Sequence, residues 1–155
     1  DEARPALDSG AVDPWSVWEP YITTAIVQVG AKELVNGADL NINAPGFLIA
    51  RTGFLNKHPD LAVHFLKTYE EIRKQYISDL DETARLIAEK KKLDIAIVGP
   101  VLHKSDPILS PAIPEFAKAH QEQADFLYAL GAIDKKLDTS KVIENRFVEE
   151  ALSVK

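Results

Sequence analysis

The sequence predicts an α/β fold with a few strands and a larger set of helices, and three observations carry that expectation. Residues 11–18 (AVDPWSVW) are rich in aromatic and β-branched side chains and lie between Gly10 and Pro20, the texture of a strand bounded by turn residues. Residues 47–50 (FLIA) form a second apolar run between Gly46 and Arg51, which reads as a buried strand over 46–51. Beyond His58 the pattern changes: Leu61, Phe65, Tyr69, Ile72 and Tyr76 recur at helical spacing with Lys, Glu and Arg opposite. That spacing predicts an amphipathic helix opened by Pro59.

Taken in chain order, the opening DEARPALDSG reads as the last turns of a helix, with Gly10 as the left-handed residue that stops it. The strand over 11–18 is irregular at its start, because Pro14 has no N–H to give a ladder. Pro20 suits the first position of a helix running through YITTAIVQVG to a stop at Gly30. AKELVNG is a brief extended link to the second strand. After the long helix, shorter ones are expected at 81–91, at 114–130 with Gly131 as stop, and at 139–152 with Asp138 or Thr139 as cap. The run Lys90, Lys91, Lys92 falls where a helix end favours cations and reads as solvated. The intervening VGPVLHKSDPILSPAIP is proline-rich and reads as irregular. Strands confined to the first third are too few for a covered sheet. The sequence contains no methionine, even at position 1, so it reads as a piece of a longer product.

Composition narrows the function classes. A chain of 155 residues with a formal net charge of -6 and scattered lysines offers no basic face for a phosphate backbone, so nucleic acid is not an expected partner. No apolar run approaches the roughly 20 residues that cross a bilayer, and no signal peptide is visible. Cysteine is absent, which excludes disulfides, thiolate metal sites and a cysteine nucleophile within this chain. His58, His64, His103 and His120 lack metal-ligand spacing, so no metal is expected. Phosphate loops, dinucleotide fingerprints and nucleophile elbows are missing from the sequence.

The densest chemistry is SGAVDPWSVWEPY, residues 9–21, which holds both tryptophans beside Asp13 and Glu19. In α/β sheets ligands gather beyond the carboxyl ends of strands, where the next helix presents unpaired N–H groups and its positive dipole end. Strand alternation puts Trp15 and Val17 on one side and Ser16 and Trp18 on the other. One indole then packs in the core while the other walls a cleft, a surface suited to an alkyl chain. Bland roles compete: core packing for either tryptophan, dipole stabilisation for Glu19, turn initiation for Asp13.

The ordered signature SGAVDPWSVWEPY, then GFLIARTGFLNKHPDLAVHFLK, then HQEQADFLYALGAI followed by DKKLD resembles the C-terminal half of periplasmic solute-binding proteins of the aliphatic sulfonate, taurine and nitrate group that serve ABC transporters. The resemblance implies half of a two-lobed, type II periplasmic-binding-protein fold. Residues 1–42 would end the second lobe and carry the cleft junction, 43–55 would form the return crossing and hinge region, and 56–155 would rejoin the first lobe. It implies Asp13, Trp15, Trp18 and Glu19 as ligand-binding residues, no cofactor and no catalysis. Its partners would be a small sulfonate-like anion, a membrane permease and the N-terminal half of the same protein, at the periplasmic or extracellular face of the cytoplasmic membrane. Pro14 departs from the pattern, standing where small residues such as alanine are usual. The same fold also serves desulfinase-like and thiamin-precursor enzymes and the effector-binding domains of transcription regulators. The tryptophan junction fits those regulators poorly, and no nucleophile with a base beside it is present to favour the enzymes.

Overall fold

In the computed structural model, residues 3–40, 42 and 46–153 are described. The helices are α1 (Ala3–Asp8), α2 (Tyr21–Val29), α3 (Thr52–Lys57), α4 (Pro59–Ser78), α5 (Leu80–Lys91), α6 (Ile95–His103), α7 (Pro114–Ala129) and α8 (Arg146–Ser153), with a 3₁₀ turn at Thr139–Lys141. Asp1 and Glu2 of the expected first helix and residues 43–45 of the expected crossing lie outside the described residues.

Local signals placed most helix ends. Gly10, Gly30 and Gly131 all take positive φ, and at Gly30 the left-handed residue closes α2, as a Cβ-free residue allows at low cost. Asp79 caps α5 by accepting from the Glu82 N–H, and Pro114 starts α7. Lys90 and Lys91 occupy the last turn of α5 and Lys92 caps it; all three are exposed.

Several sequence expectations need correction. No strand occurs among the described residues: 11–18 and 46–51 are unpaired, because a strand exists only through hydrogen bonds to a neighbour. The second segment is not buried either, with Ile49 94% exposed. Pro20 is the residue before α2, not its first position. The segment read as irregular begins inside α6, whose Asp94 cap accepts from the Ala96 N–H and whose Ile97, Val98 and Leu102 are buried despite Pro100 inside the helix. Burial of that apolar face offsets the one backbone hydrogen bond that Pro100 cannot donate. The single helix expected at 139–152 is two elements, the turn capped by Asp138, which accepts from the Ser140 N–H, and α8. Helix α3 was not foreseen.

The chain divides into two compact units, Asp1–Asn36 with Gln75–Asp106, and Gly37–Lys74 with Pro107–Lys155. In the first, α5 and α6 pack through Ala84, Ala88, Val98 and Leu102, with Tyr76 and Ile87 against them. In the second, α4 and α8 pack through Ala62, Val63, Phe147 and Ala151, joined by Leu55 and Leu66. The buried face of α4 is therefore its small side, Ala62 and Val63, while the expected stripe of Leu61, Phe65, Tyr69 and Ile72 is exposed. Glu70 is buried on α4 because Arg73 neutralises it, through hydrogen bonds of 2.6 and 2.8 Å. No described helix is long and apolar enough to cross a membrane.

Candidate functional site

The junction between residues 11–18 and α2 lies within the first unit, and its local bonds define its shape. The Glu19–Pro20 peptide is cis, and the Tyr21 N–H donates to the Trp18 carbonyl at 3.1 Å, closing a tight turn just ahead of α2. Glu19 then turns its carboxylate back onto the first turn of the helix, accepting from the Thr23 N–H at 3.1 Å and the Thr23 hydroxyl at 3.0 Å. Those bonds satisfy a backbone donor that the helix itself leaves orphaned. Thr23 is buried, so the interaction is fixed rather than fraying.

A third donor arrives from far along the chain. Lys104, the residue that ends α6, places Nζ 3.0 Å from Glu19 Oε1 and 3.6 Å from Glu33 Oε2. A cation at a helix C-terminus also interacts favourably with the dipole. Burial pushes the Glu19 carboxyl up, but the hydrogen bonds from Lys104 and Thr23 outweigh it and hold the group below its ordinary range. The hydrogen bond to Glu19, opposed by burial and aided by the charges of Glu19 and Glu33, pushes the Lys104 ammonium up. The pair is thus ionised across the neutral pH range.

Trp18 is 72% exposed and meets Tyr21 edge-on, with ring centroids 6.3 Å apart and planes at 79°. T-shaped contact is a favourable arrangement for two aromatic quadrupoles. It holds a broad apolar surface open beside the start of α2. Trp15 and Val17 are half-buried while Ser16 is exposed, so the alternation expected of the segment is kept even without a ladder. Asp13 is exposed. Of the four residues expected at a site, Trp18 and Glu19 sit together at the helix start; among the described residues no hydrogen bond or ring contact joins Asp13 or Trp15 to them.

Sequence reasoning set Tyr21 at the junction but missed Thr23 and Lys104 as members of this cluster. Thr23 follows Glu19 by four residues, a spacing visible in the sequence. Lys104 is separated from Glu19 by 85 residues, and nothing local announces the pairing. The histidines are dispersed: His103 Nε2 lies 2.9 Å from Asp81, His58 stacks near Phe54, and His120 packs on Phe47 with centroids 4.7 Å apart. Among the described residues no group of three or more His, Cys, Asp or Glu is placed to hold a metal.

No protein-family model matches the sequence. The chain is 41% identical over 152 residues to a protein of Bacillus subtilis (strain 168) named for the binding of aliphatic sulfonates, an alignment covering 98% of this chain and 46% of that protein. It is 30% identical over 138 residues to a protein of Escherichia coli (strain K12) with the same name, covering 88% of this chain and 43% of the relative. Among solved structures, it superposes on the periplasmic aliphatic sulphonate binding protein SsuA from Escherichia coli with a TM-score of 0.85 and 28% identity, over 93% of this chain and 47% of that one. The chain spans about half the length of the relatives it matches. Its fold is part of a periplasmic-binding-protein fold, and the resemblance read from the sequence holds.

Proposed function

We propose that this chain is part of the solute-binding component of an ABC importer, capturing an aliphatic sulfonate outside the cytoplasmic membrane and handing it to a permease without chemistry. The observation that carries this reading is Trp18, an indole left 72% exposed and propped by Tyr21 at the start of a helix, in a chain whose relatives are named for sulfonate binding. Large aromatic surface is normally buried. Here it forms a wall at the start of α2 on which an alkyl chain would lie.

In this reading Trp18 takes the alkyl chain, Asp13 and Trp15 line the approach on the other side of the junction, and Glu19 fixes the start of α2. The remaining wall of the cleft comes from an N-terminal half of the same polypeptide. Residues 1–42 complete the second lobe, 43–55 form the return crossing, and 56–155 rejoin the first lobe, except that 75–106 pack with 1–36 and so go with the second lobe. The half-length match to relatives supports a further half that supplies the rest of the cleft.

Tryptophan fluorescence tests the reading. Titrating the full-length protein with an alkanesulfonate should give a saturable change, whereas residues 1–155 alone should give almost none. Taurine and nitrate as competitors rank the head groups. A full-length protein whose emission stays flat with every one of these anions would overturn the assignment.

A further inference from the structure

An anion-binding site with a glutamate at its centre poses an electrostatic problem, because Glu19 is covalently adjacent to Trp18 and carries the same charge sign as a sulfonate. Left unpaired, a carboxylate there would repel the head group. Three features of the geometry answer this. The Glu19 oxygens accept from Thr23 N–H and Oγ1 at 3.1 and 3.0 Å, which commits the side chain to α2. Lys104 Nζ sits 3.0 Å from Oε1, delivered by the end of α6. The same ammonium lies 3.6 Å from Glu33, the next acid beyond α2, so one cation serves two carboxylates.

We propose that Lys104 is a positioning and charge-compensating residue of this site: by pairing with Glu19 and Glu33 it keeps both carboxylates turned away from an incoming anion, and so makes the Trp18 junction permissive for a sulfonate. The inference rests on the sulfonate-binding reading and adds a residue and a role to it. Lys104 does not contact ligand; it acts through Glu19. Without it, two acids face the site with no cation between them. Discrimination then becomes sensitive to ligand charge rather than to alkyl length, because the aromatic wall is untouched while the cluster of Glu19 and Glu33 becomes more negative.

Calorimetric titration of the full-length protein with an alkanesulfonate, at low and at high salt, tests this. Lys104→Met should weaken binding about fivefold or more at low salt, and the loss should shrink as salt screens the exposed charges. Lys104→Arg should retain most of the affinity. The double variant Glu19→Gln with Lys104→Met should recover most of what Lys104→Met loses, because the carboxylate next to Trp18 is gone and the cluster, with Glu33 alone, returns to the net charge of the parent. A purely structural lysine would instead lower the melting temperature without a salt-dependent affinity change, and the double variant would bind no better than the single one. Either that pattern or unchanged affinity in Lys104→Met overturns the proposal while the sulfonate reading stands. A parent protein that binds no alkanesulfonate overturns both.

Discussion

Asn145 and the backbone of Ala112 exchange a pair of hydrogen bonds: the Ala112 N–H donates to Asn145 Oδ1 at 2.8 Å, and Asn145 Nδ2 donates to the Ala112 carbonyl at 3.0 Å. A side-chain amide here does what a neighbouring strand would do, satisfying both polar groups of one loop residue. It ties the proline-flanked segment before α7 to the residue before α8, and it accounts for the interruption ahead of Arg146. Asn145→Ala should destabilise the protein by about 1–3 kcal/mol, since two part-buried backbone groups lose their partners together. Asn145→Asp keeps the acceptor and loses the donor, so it should fall between parent and alanine variant at neutral pH. Urea denaturation of the three proteins checks the order.

Glu70 gives a second prediction, this one dependent on pH. Its carboxylate takes a two-pronged contact from Arg73, whose remaining arm donates to the Pro107 carbonyl at 2.9 Å. The Arg73 hydrogen bonds outweigh burial, which acts the other way, and with Lys74 they hold the Glu70 carboxyl below the ordinary value of 4.5. A depressed acid contributes stability that is present above its unfolded value and lost as pH falls through the folded one. Glu70→Gln should therefore cost about 1–3 kcal/mol at pH 7. The difference from parent should narrow in acid below the ordinary carboxylate range. A cost that is the same at both pH values would show that packing, not charge, is the larger part.

Residues 1–155 on their own should associate. The two cores are small and rich in alanine, Ala62 and Ala151 in one, Ala84 and Ala88 in the other. Meanwhile Leu34 is 82% and Ile49 94% exposed, and Leu61, Phe65 and Ile72 stand open on α4. Exposed apolar surface of this kind drives association in water. Sedimentation velocity should show species larger than a monomer, with a shallow denaturation transition. A stable monomer with a steep transition would contradict this. The expected contact is helical surface, since no described residue belongs to a sheet edge.

What the sequence revealed and what it hid divide along the range of the interactions. Helix ends marked by Gly10, Gly30, Pro59, Pro114 and Gly131 were legible, because caps and prolines act within a turn of themselves. Helix α3 escaped notice because it has six residues and no side chain capping its start, so it depends on Leu55 packing against the α4 and α8 cluster. The strands were misread for the opposite reason: 11–18 and 46–51 have strand-like residues, but pairing is a property of two segments. The face of α4 was misjudged because its larger apolar residues outnumber the small ones that pack. At the site, alternation separated Trp15 from Trp18 correctly, while Lys104 could not be seen beside Glu19 at a distance of 85 residues.

The two tryptophans should separate stability from binding. Trp15 is half-buried, so Trp15→Ala should mainly lower stability, by about 1–3 kcal/mol for the part of its surface that is covered. Its effect on ligand affinity should be the smaller one. Thermal melts alongside binding titrations decide this, and a loss of affinity with an unchanged melt would invert the face assignment.

The most direct measurement is calorimetric titration of an alkanesulfonate into the full-length protein and its Trp18→Ala variant. If Trp18 walls the cleft and carries the alkyl chain, truncation should weaken binding by about 1–3 kcal/mol, with little change in the melt because the indole is exposed. The loss should grow with the length of the alkyl chain. Affinity for every alkanesulfonate equal to that of the parent would contradict the account.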